Sequence, residues 1–353
     1  MSVPLGHARH ICPFPRARMS WTTAETGDPI PPFVQKASTS SGALSFDMVG
    51  GRRILLFFFD SSTTPAVKSV LQHLSQHPDV LNRRDCLFLG VTLDRADTDV
   101  LKNRSGLRSV CFLYDTDRIC HRTFGIAENA PPGWIELDPM MHVVHTQLHR
   151  PGLEETLFAT LLQKATAPQR SMPAPVLMLD HVLEPAFCQD LIRYHDTHNP
   201  QPSPILTSNA AGHPVRTVAP DFKRRRDTPL RDRGIVTALQ NRIIRRVVPE
   251  IFRAFRFTAT QMDRMLVSSY DATDKGFFDA HRDNTVPSSA HRQFAVSLTL
   301  NDDYTGGELI FPEFGPQTFR PNAGGAVVFS CALLHAVQPV TSGRRYACLP
   351  FVY

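Results

Sequence analysis

At 353 residues, with 42% hydrophobic side chains and no apolar run of about 18, the chain is long enough for two domains of roughly 150 to 200 residues and holds no expected membrane span. The net charge of +5 comes mainly from arginine, clustered at 223–226 and at Arg242, Arg245 and Arg246; this reads as solvated surface, favours an acidic ligand, and gives no reason to expect nucleic acid. Seven cysteines, an odd number with no Cys-x-x-Cys pair, imply reduced thiols in a cytoplasm.

Residues 1–26 are basic, acid-free up to Glu25 and without the apolar stretch of a secretory signal, so a disordered tail is expected. From 27 to 165 strand-like and helix-like segments alternate. RILLFFF (53–59), CLFLGVTLD (86–94) and SVCFLYD (109–115) read as buried strands, WIELDPMMHVVHTQL (134–148) as a hairpin, and 64–77 and 153–165 as helices. The order β-α-β-α-β-β-α predicts an α/β, thioredoxin-like domain.

This half resembles the peroxiredoxin and redoxin family. GDPIPPF (27–33) stands at the family's entry motif, ILLFFFDSSTTPAV (54–67) at its strand, active-site turn and helix start, and WIELDPMMHVV (134–144) at its late hairpin. Where the resemblance calls for a peroxidatic thiol the chain has Val67, and the usual active-site proline is Asp60, though Thr64 is kept. A valine forms no thiolate, so the domain is expected to be non-catalytic, serving for protein docking or substrate presentation.

TAPQRSMPAPV (166–176) reads as a linker, and 177–353 as a second domain. Residues 183–198 predict a helix. The polar, proline-rich stretch 199–232 predicts a long functional loop, a candidate lid. Ile235, Val236, Leu239, Ile243, Val247, Ile251 and Phe255 predict one amphipathic helix. Short strands then follow at 264–271, 294–301, 307–314, 325–330, 336–340 and 344–353. They suggest a mainly-β jelly-roll barrel behind supporting helices.

Within this region FFDAHRDN (277–284) has two readings. As the His-Arg-Asp of a protein kinase it would need Asn five residues after Asp283, where Ser288 stands, and a downstream Asp-Phe-Gly, which is absent. As His-x-Asp on a strand, His281 and Asp283 would face one side and Arg282 the other. A second His-x-Asp, His77-Pro78-Asp79, is taken as chance. With His335 after GAVVFS, two imidazoles and one carboxylate make the facial set of a non-haem iron site with open positions. Arg345, ten residues past His335, has the fork to pair a carboxylate, and Thr299 could add a hydroxyl. Arg344 should point outward.

The segments YDATDKGFFDAHRDN (270–284), RQFAVSLTLN (292–301), GGELIFPEFG (306–315), NAGGAVVFSCALLHAVQPV (322–340) and SGRRYACLPF (342–351) resemble, in order and spacing, the prolyl 4-hydroxylase-like 2-oxoglutarate and Fe(II)-dependent oxygenases. The resemblance implies a double-stranded β-helix, His281, Asp283 and His335 as iron ligands, Arg345 and Thr299 as 2-oxoglutarate contacts, and O2 as oxidant. Phe278 stands where many relatives carry Tyr, and Phe351 where a Trp is common. Asn284 and Arg292 are further pocket candidates or turn-closing residues. The implied activity is hydroxylation of a peptidyl, amino-acid or small-metabolite C–H bond, with release of succinate and CO2. The rivals are a redoxin-type thiol enzyme, a binding scaffold with a relic barrel, and a structural zinc site, which would want a fourth protein ligand.

Overall fold

The computed structural model describes residues 21–39, 41–77, 85–102, 109–166, 171–208 and 214–353. In the first half a five-stranded sheet runs in the order Val110–Tyr114, Cys86–Thr92, Arg53–Phe59, Gly133–Leu137, Val143–Leu148; the first three are parallel and the last two antiparallel. The central strand splits its side chains by parity. Leu55, Phe57 and Phe59 join a core with helices Pro65–Gln76 and Leu153–Thr166, while Ile54, Leu56 and Phe58 join another with Phe46 and Phe124. Burial on both faces is why these strands read as continuous apolar runs.

The domain begins earlier than expected. Residues 1–20 lie outside the described residues, but Trp21 is buried edge-on against Phe58 and Thr22 donates its hydroxyl to the Phe124 carbonyl, so 21–26 are packed rather than tail. An indole offers too much apolar surface to leave in water. The His77-x-Asp79 motif ends the helix at His77, and Pro78 and Asp79 lie outside the described residues.

The second half is two sheets sharing one core. The larger has ten strands, among them Leu266–Asp271, Phe294–Thr299, Ala326–Ser330 and Val340–Cys348; the smaller orders Lys223–Arg224, Phe277–His281, His335–Val337, Leu309–Ile310, Thr318–Phe319. Tyr270, Phe329 and Phe351 from the first meet Leu309, Phe319 and Val337 from the second. The other face of the larger sheet is backed by helices through Leu191, Leu239, Ile243 and Ile251.

Three expectations are corrected. The single helix over 235–255 is two, Arg233–Arg246 and Val248–Phe255, because Pro249 supplies no N–H to continue the ladder. The linker stops one residue short of 176, since Val176 already pairs with Phe329 in the larger sheet. The stretch 199–232 is no long loop: Lys223–Arg224 pairs with Phe277–Phe278 and Arg226–Pro229 with Leu266–Ser269, and among the described residues the hairpin Ile205–Ser208/Pro214–Thr217 pairs with itself alone. Residues 209–213 lie outside the described residues. Polar alternation hid these strands because their outer faces are wet.

Candidate metal centre

His281 ends its strand directly opposite His335, which opens the neighbouring one. Asp283 lies just past the strand end, in a turn pinned by its own N–H to the Cys331 carbonyl at 3.0 Å, so the side chains converge through a turn and not through strand parity. Asp283 Oδ1 is 3.6 Å from His281 Nε2, and Oδ2 is 3.4 Å from His335 Nε2. Ligands held about 2.0–2.2 Å from one divalent ion at right angles would stand roughly 3 Å apart, so the three atoms are spaced to share an ion.

Both imidazoles are set for this. His281 Nδ1 donates to the Asp279 carbonyl at 2.8 Å and His335 Nδ1 to the Leu333 carbonyl at 3.0 Å, which leaves each Nε2 with its lone pair facing Asp283. Burial, then His335, push the His281 pKa well below the ordinary value, holding it in the neutral, ligating form.

The three side chains line one cavity. Arg345 enters it from strand Val340–Cys348, 3% exposed; Nη2 donates to Ser297 Oγ at 3.3 Å, Nη1 has no partner, and the guanidinium lies 5.1 Å from the Tyr270 ring centroid. A buried guanidinium with an open N–H fits a carboxylate-bearing co-substrate. Thr299 is buried with its hydroxyl unpartnered, but it does not line the cavity; Ser297, one alternation earlier on the same face, does. Arg344 points outward to Asp271 at 2.6 Å. Phe278 and Phe351 line the cavity, whereas Asn284 and Arg292 do not; Arg292 pairs with Asp263 at 3.2 Å and lies over the Phe351 ring.

A second polar group in the wall carries no motif. Arg225, 5% exposed, donates to Tyr270 Oη at 3.2 Å and Ser203 Oγ at 3.0 Å, and its Nε and Nη2 meet Asp227 at 2.7 and 2.9 Å. Asp227 also accepts from Ser203 at 2.5 Å and Ser268 at 2.7 Å. Arg264 lines the cavity too, held in a left-handed backbone (φ 59°), and reaches Asp227 only at 3.8 Å. Burial, then Arg225, push its pKa down. The one sequence signal for this group was the arginine run at 223–226, which gave charge but not direction.

The thiols stand apart from this chemistry. Val67 is fully buried, and the six described cysteines are buried too. Burial pushes Cys111, Cys120 and Cys331 up, away from the thiolate. Among the described residues no helix is long and apolar enough to cross a membrane.

Comparison with known proteins adds names to each half. A PKHD-type hydroxylase of Prochlorococcus marinus (strain MIT 9312) is 30% identical over 108 residues, which is 30% of this chain and 43% of that protein, so the chain spans under half the length of this relative. A prolyl hydroxylase from Trichoplax adhaerens, solved with a hypoxia inducible factor peptide fragment, is 16% identical, covering 51% of this chain and 83% of its own at a TM-score of 0.39. A PrxQ mutant from Xylella fastidiosa is 16% identical, covering 40% of this chain and 98% of its own at a TM-score of 0.35. Residues 265–353, the stretch that holds His281, Asp283, His335 and Arg345, match the 2OG-Fe(II) oxygenase superfamily.

Proposed function

We propose that the C-terminal half is an Fe(II)- and 2-oxoglutarate-dependent dioxygenase that hydroxylates a C–H bond, releasing succinate and CO2. The observation that carries this reading is the convergence of His281 Nε2, Asp283 and His335 Nε2 in one cavity with the open Nη1 of Arg345. His281, Asp283 and His335 would hold the iron, which when bound supplies Lewis acidity and a site for O2. Arg345, with Ser297 beside it, would hold the far carboxylate of 2-oxoglutarate. We further infer that the two sheets are the halves of a double-stranded β-helix, and that the buried free thiols of Cys111, Cys120, Cys188, Cys331 and Cys348 suit a reducing cytoplasm. Because Asp283 keeps a carboxylate at the centre, no protein ligand is replaced by a halide, which favours hydroxylation.

The substrate class follows from charge. Asp227 neutralises Arg225, Asp283 balances Arg345, and a divalent ion balances a dianionic co-substrate. Lys223, pushed down to about 6 by burial and by Arg225 and Arg264, is largely uncharged at neutral pH. Arg264, 23% exposed and 3.8 Å from an Asp227 already paired with Arg225, is the least compensated cation of the cavity. The substrate therefore brings an anionic group, on a peptidyl, amino-acid or small-metabolite framework.

The test is Fe(II)- and 2-oxoglutarate-dependent succinate release, with isothermal titration of 2-oxoglutarate into Mn(II)-loaded protein alongside. His335→Ala should abolish turnover, and Arg345→Ala should weaken co-substrate binding by at least ~100-fold. Unchanged binding in Arg345→Ala would sink the assignment of that residue; turnover surviving in His335→Ala would sink the metal centre.

A further inference from the structure

Arg282 does turn away from the metal centre, but not into water. Its side chain is 12% exposed and that of its partner Glu313 is 11% exposed. Nε and Nη2 donate to the Asp47 carbonyl at 3.1 and 2.8 Å, Nη2 to Glu313 Oε1 at 2.6 Å, and Nη1 to the Ala332 carbonyl. Asp47 belongs to the redoxin-like half. Ala332 is three residues before His335, and Glu313 Oε2 accepts the N–H of Leu334, the residue just before His335, at 3.3 Å. One guanidinium, placed between two ligands in sequence, thus grips the turn that delivers the third and the other domain at once.

The rest of the seam is equally close. A Cβ built on Gly50 would lie 2.7 Å from Glu313 Oε1, and one on Gly51 2.3 Å from Pro312 Cβ, so this glycine pair lets the first domain press against Pro312 and Glu313. Half-buried Arg52 follows, within reach of the charge of Asp279, whose carbonyl orients His281. The linker residue Met172 donates to the Phe314 carbonyl at 2.8 Å.

We propose that the redoxin-like domain, docked through Asp47 and Gly50–Gly51 onto Arg282 and Glu313, is a positioning element for the metal centre. It fixes the angle at which His335 meets His281 and Asp283. This rests on the three residues being metal ligands, and it gives a role to a domain whose thiol site is lost. A planar fork is essential: a lysine would keep the charge beside Glu313 but could not bridge two carbonyls and a carboxylate.

The test uses full-length protein and Co(II) as a spectroscopic probe of the site, with circular dichroism as the check on folding. Arg282→Lys, and Gly50→Val at a backbone any residue can adopt (φ −55°), should each weaken Co(II) binding about tenfold or more and shift its visible bands. The double variant should be little worse than the weaker single, since both break one coupling. A folded Arg282→Lys or Gly50→Val protein with wild-type affinity and spectrum overturns the proposal; if one variant does not fold, the other decides. Wild-type protein that binds no Co(II) would instead overturn the metal centre, and this proposal with it.

Discussion

Phe278 lies face to face with His281, ring centroids 3.5 Å apart and planes 20° apart. At a spacing of three the two should point to opposite faces of a strand, but the pairing with His335–Val337 shifts register between them, and the irregularity brings both rings into the cavity. Phe278 is therefore more than a tyrosine without its hydroxyl; it packs the candidate ligand. Phe278→Ala should weaken Co(II) binding about tenfold, whereas Phe278→Tyr, which keeps the stack, should stay within about threefold of wild type. Equal losses in a Co(II) titration would show that the stack does not orient His281.

Asp227 is the anion on which the cavity wall depends. Burial acts to raise its pKa, but Arg225 and Arg264 outweigh this and hold it well below the usual carboxylate range. With its folded pKa depressed, its stabilisation is fully present above about pH 4 and is lost as pH falls from there toward the depressed value. Asp227→Asn leaves the buried guanidinium of Arg225 without an anion and should cost about 3–5 kcal/mol at neutral pH in urea denaturation. A cost under about 1 kcal/mol would mean that Arg225 finds its stabilisation elsewhere.

The contrast between these residues shows what a sequence makes legible. His281, His335 and Arg345 lie on strands whose apolar neighbours reveal their parity, and Asp283 stands two residues past His281, so the motif was legible although a turn and not parity aims the carboxylate. Arg225, Asp227 and Arg264 meet only because Arg226–Pro229 pairs with Leu266–Ser269, a long-range register that no local pattern announces. The stretch around them carries prolines and charges that read as loop. Arg282 was legible as facing away from the metal, although it stands past the strand end, where the turn and not alternation directs it. What it faces depends on where another domain's Asp47 comes to rest. Thr299 and Ser297 share a face, and parity alone could not say which of the two lines the cavity.

The lost thiol of the first domain cannot be restored by one substitution. Val67 is wholly enclosed with Val70, Leu71 and Phe57 in the core beneath its helix. Val67→Cys is close in volume and should fold, but its thiol would be desolvated, its pKa raised, and peroxide unable to reach it. The expected result is no peroxide consumption above background and no reaction with a thiol reagent in native buffer, with full reaction after unfolding. Rapid native labelling together with peroxidase activity would show that the pocket opens, contrary to this packing.

Lys223 gives a prediction in pH. Its Nζ sits 4.6 Å over the Phe278 ring and donates to the Pro204 carbonyl at 3.1 Å, and burial, then Arg225 and Arg264, lower its pKa to about 6. Between that value and the ordinary lysine value near 10.4, the unfolded chain holds a proton that the folded one has released, so stability must rise with pH across this window and level off below it. Lys223→Met keeps the length and apolar stem while removing the titration. In metal-free protein the variant should show a flatter profile between pH 6.5 and 9.5 and be more stable at pH 7 by roughly 1–2 kcal/mol, because a buried amine next to two guanidinium groups is worse than a thioether. Urea midpoints across that range decide it: a variant with the wild-type slope would mean that Lys223 stays charged in the folded protein, over the Phe278 ring.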